Sequence, residues 1–323
     1  MGRALGAPIP EGFIDEFDNT LYHLLQQKDS KFQQAVDVKP ITNAEDKAFD
    51  AIGKLALVEK TERNPKTPIT DTTHERRWVN TTPFHQGVLI DKDDDLNRII
   101  EPTSDIMVEL VNAVNRKKDD IILASIDADV VSGRTSKGGT VISWASQDGN
   151  VEYTDVNTGR TIIYNSAVGN ANAADTGFTI EKAELVREYF ANNDADEGTP
   201  IWGAISPRQA TNLFGQNEYV NNDFSDGKPL TTGRIIMGWH GINWIVSTKI
   251  VEGTNNDIAT SSVDVVRLPF WLESGLILGV QDMISTEISI RDDLSYSKQI
   301  YVHMNMGAMR RDEDRVCFVE VLK

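Results

Sequence analysis

Residues 54–90 set the strongest constraint on what this chain can become. Two β-forming runs, KLALVEKTE and ERRWVNTTPFHQGVLI, flank the polar stretch RNPKTPITDTTH, which holds two prolines and no large apolar residue except Ile69. Pro83 interrupts the second run. The pattern predicts a long β-hairpin with a solvated tip. A lone two-stranded ribbon is marginal in water and needs a surface to lie on. That surface belongs either to the same chain or to another one.

The segment before it poses the same question. In FIDEFDNTLYHLLQQ, residues Phe13, Phe17, Leu21, Leu24 and Leu25 recur at helical spacing, but DSKFQQAV breaks the pattern and Pro40 follows. Residues 1–50 therefore read as an arm without a core of its own. It lies on its own domain or on a neighbouring subunit.

Downstream, the pattern becomes that of an ordinary α+β protein. Pro102 and a Thr103 or Ser104 cap open a helix expected over about 103–127. Ile106, Leu110, Val111, Val114, Ile121, Ile122 and Ser125 form its apolar stripe, while Glu109, Asn112, Asn115, Arg116 and Lys117 fall mainly on the other faces. Residues 130–178 are β-rich, with turn signals at Asp148-Gly149 and at Asn157-Thr158-Gly159. A second helix is expected at about 179–193, capped by Thr179. TPIWGAIS reads as a strand and PRQATNLF as a short helix begun by proline. RIIMGWHGINWIVSTKI reads as two strands around a Gly-rich bend. The chain closes with two strands joined by RRDED, in which Ile300, Val302, Met304 and Met306 alternate with polar positions. No internal repeat is visible.

Composition excludes several function classes. At 323 residues the chain is long enough to fold without a disulfide or metal staple. Its one cysteine, Cys317, permits no internal disulfide and suits a reducing compartment. No run of 18 apolar residues suggests a membrane span, and the acidic N-terminal stretch does not resemble a secretory signal. With 49 acidic against 32 basic residues, the net charge is −17, so the chain on average repels DNA, RNA and anionic lipid. Arginine pairs occur at 76–77 and 310–311, too few for a basic stripe.

The sequence offers no catalytic signature. The five histidines, His23, His74, His85, His240 and His303, lie in five separate segments. Asp91, Asp93, Asp94 and Asp95 lack the glycine and distal glutamate of a calcium loop and fit the positive end of the next helix. GRTSKGGT at 133–140 has Gly139 where a phosphate loop carries lysine, and it precedes a strand, so it reads as a turn. Cys317 sits in a strand without an activating base and reads as a buried thiol. Asn80-Thr81-Thr82 matches a glycosylation motif by coincidence. No catalytic residue, cofactor or metal site is expected, and a binding or structural role is the economical reading.

The order of elements then becomes informative. The stretch IDKDDDLNRIIEPTSDIMVELVNAVNRKKDDIILASI, the pair GFTIEKAELVREYF and IWGAISPRQATNLF, the unit GRIIMGWHGINWIVSTKI and the ending YSKQIYVHMNMGAMRRDEDRVCFVEV succeed one another here. In that order they resemble the major capsid protein of tailed bacteriophages, the Hong Kong 97-type capsid fold, over roughly residues 50–323. Gly307-Ala308-Met309-Arg310 looks like that family's G-A-x-R corner. The resemblance implies an α+β fold with an N-arm (1–50), an extended β-hairpin loop reaching over a neighbour (51–90) and a peripheral domain with its spine helix (91–195). It further implies an axial domain (196–284) and C-terminal strands returning to the peripheral domain (285–323). It implies a subunit that self-assembles, as pentamers and hexamers, into an icosahedral head shell in the host bacterial cytoplasm. The shell would enclose double-stranded DNA without specific binding, and an acidic subunit suits that task.

Residues expected at subunit interfaces on this architecture are Phe13, Phe17, Leu21, Lys60, Arg63, Lys66, Glu75, Arg76, Arg77, Trp78, Arg310 and Arg311. A portal protein and a separate scaffolding protein are expected partners, since about 50 residues before the hairpin are too few for a built-in scaffold. Some members cross-link subunits through lysine; Lys54, Lys60 and Lys66 are available here, but no matching motif accompanies them. Three rival readings stand beside this one: an encapsulin-like nanocompartment shell, a tail or tube protein, and a cytosolic α+β hydrolase with a site assembled from scattered residues.

Overall fold

The structure is a computed structural model that describes residues 26–42, 44–61, 63, 66–67, 69, 71–91, 103–142, 154–155, 160–163, 177–194, 198–216, 219, 233, 235, 238–250, 252–254 and 264–322. Numbered in chain order, its strands form three sheets. The first contains β1 (Asp37–Pro40), β4 (Thr82–Ile90), β13 (Leu276–Arg291) and β14 (Ser297–Arg310), in the order β1-β13-β14-β4. The second contains β2 (Asp46–Ile52), β3 (His74–Asn80), β5 (Val130–Ser132) and β6 (Thr140–Ile142), in that order. The third runs β10 (Ile242–Val246), β9 (Ile201–Ile205), β12 (Asp264–Leu272), β15 (Val316–Leu322), β8 (Arg160–Ile163), β7 (Thr154–Asp155), with β11 (Glu252–Thr254) on β12.

The long helix α1 spans Thr103–Asp127, as its periodicity predicts. Its apolar stripe lies across the first sheet: Leu110 and Val114 pack with Ile90, Ile300, Val302, Met304 and Met306. The alternation read in β14 thus marks the face under the helix. Asn112, expected on an outer face, is buried, as are Lys118, Asp119 and Ser125. Over Lys118 and Asp119 runs a strap, residues 26–36, whose Gln33 accepts from Lys118 Nζ at 2.9 Å. Asp119 accepts hydrogen bonds from Ser30 Oγ (2.5 Å) and from the backbone N–H groups of Lys31 (3.1 Å) and Phe32 (3.4 Å). Phe32 is fully buried against Trp271, whose indole N–H donates to the Ala35 carbonyl at 2.8 Å. The C-terminal part of the expected arm therefore lies on its own subunit.

The third sheet carries the largest core, with Phe178, Trp244, Phe270 and Trp271 at its centre. Helices α2 (Ile180–Asn192) and α3 (Pro207–Phe214) start where their caps dictate. Thr179 Oγ1 accepts from Lys182 N, and Ser206 Oγ accepts from Gln209 N, with Pro207 in the first turn of α3. Of the two strands read in RIIMGWHGINWIVSTKI, β10 is the second; the first, like the turns at 148–149 and 157–159 and the acidic run at 93–95, lies outside the described residues.

Two expectations about pairing are corrected. First, the partner of β3 is β2 and not KLALVEKTE: the register runs from Asp46 opposite Asn80 to Ile52 opposite His74. This upstream register places Asp50 beside Arg76, and the Arg76 guanidinium makes two hydrogen bonds to its carboxylate, at 2.5 and 2.8 Å. The second run also divides, because the chain leaves the second sheet after Asn80 and enters the first at Thr82. Gly307 explains how the two sheets meet there: a Cβ at this position would stand 2.0 Å from the Asn80 carbonyl oxygen, so only glycine lets β14 pass so close.

Second, RRDED does not close a hairpin. β14 pairs with β13, whereas β15 pairs antiparallel with β12 and parallel with β8. The hairpin turn lies at 292–296, where Ser295 and Tyr296 adopt positive φ. From it, β13 and β12 run antiparallel to β14 and β15 as one long ribbon. The ribbon steps from the first sheet to the third where Leu272 N donates to the Arg315 carbonyl (3.0 Å) and Arg311 N to the Gly275 carbonyl (2.8 Å). Residues 316–322 accordingly leave the α1 side of the molecule for the larger core.

Candidate inter-subunit surface

The β2–β3 ribbon is closed by a hydrogen bond from Gly53 N to the Thr73 carbonyl at 2.9 Å. Beyond it the chain carries Leu55, Leu57, Val58 and Ile69 with 61%, 101%, 70% and 90% of their surface exposed, and Ile52 at the ribbon's end is exposed as well. Four large apolar side chains are thus exposed on the connection, with Ile52 at the end of β2 beside them. A second exposed apolar group lies at the far end of the first sheet. β1 pairs only Ile277–Val280 of β13, leaving Ser285–Arg291 hydrogen-bonded to β14 alone among the described strands. Ile288, Ile290, Leu294 and Tyr296 are exposed there. An uncovered strand edge with apolar side chains is a template for another chain.

The root of the projecting ribbon is fixed by a buried ionic cluster. Arg77 donates to both carboxylate oxygens of Glu313 (2.9 and 2.6 Å) and to Glu75 (2.6 Å). Arg310, fully buried, donates to Glu313 at 3.2 Å and to the carbonyls of Ile126 (2.7 Å) and Ala128 (3.2 Å). Helix α1 has no basic residue in its last turn, and Arg310 supplies that missing cation to its carbonyl end. Trp78 completes the root by donating its indole N–H to the Gly133 carbonyl at 2.9 Å. One carboxylate thus ties ribbon, helix end and C-terminal crossing together.

Burial by itself pushes the Glu313 carboxyl up, but the hydrogen bonds and charges of Arg77 and Arg310 outweigh it and hold the group below the usual carboxylate range. A carboxyl depressed in the folded state stabilises the fold above its unfolded pKa, near 4.5, and loses that contribution as pH falls through the folded value. Acid unfolding of the subunit is therefore expected to have a component below about pH 4.5 that disappears in Glu313→Gln. A pH titration of stability that is identical for both proteins would contradict this.

The expected interface residues divide accordingly. Lys60, Arg63 and Lys66 are exposed on the projecting connection, and Arg76 and Arg311 are exposed too. Glu75 and Trp78 are partly buried. Arg77 and Arg310 are corrected: both are buried inside the subunit and bind Glu313. For Arg76 and Arg77 the reason is strand alternation, which turns one outward and the other inward; Arg310 ends β14, and Arg311 lies beyond the strand. Phe13, Phe17 and Leu21 lie outside the described residues. Sequence reasoning missed Glu313, Asp50 and the exposed Leu55, Leu57 and Val58; the last three are visible as an apolar run once its strand assignment is withdrawn.

Residues 133–139 form the turn between β5 and β6, where Gly133 and Gly138 take positive φ and Lys137 pairs with Glu45 at 3.0 Å. Burial pushes the Cys317 thiol well up. Among the described residues, no three metal-ligating side chains gather in one place, and no helix is long and apolar enough to cross a membrane.

A family model described as phage capsid protein matches residues 9–322. The fold matches that of several solved shells. The capsid protein of cyanophage Pam1 is 13% identical with a TM-score of 0.72, covering 98% of each chain. That of cyanophage P-SCSP1u is 16% identical with a TM-score of 0.69, covering 99% of this chain and 96% of the other. That of Ralstonia phage GP4 is 11% identical with a TM-score of 0.64, covering 98% of each. No curated protein matches the sequence.

Proposed function

The chain belongs to the phage capsid protein family, and from that membership we infer its work: it is the major capsid protein of a tailed phage, and copies of it close into the icosahedral head shell. The observation that carries this reading is the match of the family model to residues 9–322, nearly the whole chain. Exposed apolar surface supports the reading. Apolar side chains on 53–73 and at the 285–296 end of the first sheet are exposed among the described residues, and such surface is what obligate assemblies bury.

We assign the parts on that basis. Residues before about 50 are the N-arm, anchored on its own subunit from residue 26, and 53–73 is the tip of the loop that reaches a neighbour. Helix α1 with the first sheet makes the peripheral domain. The third sheet, β15 included, makes the axial domain, with α2 and α3. Rings of five and six copies are the building units, assembled in the host cytoplasm with a separate scaffolding protein and a portal. The shell holds double-stranded DNA without binding it specifically, and the net charge of −17 supports that reading. The family is structural, and its members' role is to enclose.

Negative-stain microscopy tests the reading. The purified subunit, alone or with its scaffolding protein, is expected to give closed isometric shells. Their rate of formation should change between low and high salt, because like charges are screened over about 10 Å at 0.1 M. Rings stacked into tubes, or a permanent monomer, would overturn it.

A further inference from the structure

Two bare seven-residue segments of this molecule match each other. The first is 54–60, KLALVEK, which follows the closed end of the β2–β3 ribbon, belongs to no helix or strand, and exposes Leu55, Leu57 and Val58. The second is the edge of β13 from Ser285 to Arg291. On that edge β1 stops at Pro40, opposite Val280, where Ile41 N donates to the Val280 carbonyl at 2.8 Å. Ile288 lies opposite Ile300, which packs with the α1 stripe, so Ile288 and Ile290 stand on the helix face of the sheet. Both are nevertheless exposed. In each segment the apolar side chains recur at every second residue, Leu55 with Leu57 and Ile288 with Ile290. Charge is complementary as well. Residues 54–73 carry four basic against three acidic residues in a chain of net charge −17, whereas 285–296 carry one basic against three acidic.

We propose that residues 54–60 of one copy add a strand to the 285–291 edge of a second copy, setting Leu55 and Leu57 beside Ile288 and Ile290. This seat presupposes the self-assembling shell inferred above. The main chain supplies the bonds and alternate side chains supply the fit, as when an extended segment joins any open sheet edge. The occupant comes from another copy because a chain cannot reach its own edge. Lys54 pairs with Asp194 at 3.3 Å, and the adjacent Asn193 donates to the Asp314 carbonyl at 3.4 Å, so the connection begins beside the step between the first and third sheets. Ile288 lies twelve residues along β13 from Leu276 at that step, about 40 Å away. Leu57, three residues from Lys54, extends about 11 Å at most. Loop and edge are different patches, so each copy offers one and receives the other, the head-to-tail contact that closes rings.

The test uses full-length chains assembled into shells. Leu57→Cys and Ile288→Cys subunits, mixed and assembled, are expected to give covalent dimers with a short bis-maleimide, well above either variant alone; buried Cys317 does not compete. Ile288→Asp with Ile290→Asp should leave urea unfolding of the subunit unchanged, since both side chains are exposed. The same pair should cut the yield of shells at least roughly tenfold, since the contact would bury two charges. Shells in which positions 57 and 288 do not link, or shells undiminished by the two aspartates, give the edge to another occupant and overturn the proposal, though the chain remains a shell protein. In Leu57→Cys/Ile288→Cys, a link within one chain in place of ladders would overturn it as well. An unaltered chain that forms no shells overturns the capsid reading, and this seat with it.

Discussion

Replacing residues 54–72 by a short turn is expected to leave a folded subunit that forms no shells. The fold should survive because Gly53 and Thr73 already meet through a backbone hydrogen bond, so the excised chain bridges a closed ribbon end. Leu55, Leu57, Val58 and Ile69 are exposed, so the isolated subunit loses little apolar burial with them. In an assembly the same side chains would each contribute about 1.5–3 kcal/mol when buried on a neighbour, enough to decide whether subunits associate. Unfolding in urea should therefore be nearly unchanged, while microscopy and sedimentation should show subunits only. Intact shells from this variant would remove the projecting connection from the assembly mechanism. Three changes in the same connection, Leu55→Ser, Leu57→Ser and Val58→Ser, should weaken assembly in the same direction without altering its length.

Glu313→Ala should destabilise the subunit by about 3–5 kcal/mol, the usual cost of stripping the partner from a buried ion pair. Two cations depend on this carboxylate, Arg77 and Arg310, and the second sits fully enclosed beside the carbonyl end of α1. Its removal leaves both charges facing each other in a site that burial already makes unfavourable for Arg310. Denaturant unfolding measures the loss directly. A midpoint equal to that of the unaltered protein would mean that water satisfies the arginines and that the root of the ribbon is held by other contacts. Arg310→Met offers the complementary case, since it removes the buried charge along with its partner's need and should cost less than Glu313→Ala.

The helices and the alternating strand were legible because their signals are local. Thr179, Ser206 with Pro207, and the stripe Ile106-Leu110-Val114 each fix structure within a few residues. The pairing errors arose where the answer lay far along the chain. KLALVEKTE has strand chemistry, yet the segment Asp46–Ile52 is the one paired with β3, and its Phe49 packs on the buried cluster of Val79, Val130 and Ile277. RRDED looks like a turn and is one, but the strand after it, β15, pairs with β12, some fifty positions upstream. The same distance hid the cluster: Arg77 and Glu313 are separated by 236 positions, and nothing near either residue announces the other. Period-two alternation could have shown that one arginine of the pair Arg76-Arg77 points inward; it could not have shown toward what.

The long ribbon running from β12 and β13 against β14 and β15 has a mechanical consequence. Tension applied along its strands acts parallel to them, so rupture requires many cross-strand bonds to slide at once, whereas peeling from an end would break them singly. A load entering the larger sheet is passed lengthwise through the step at Glu273–Gly275 and Arg311–Arg315 into the smaller one.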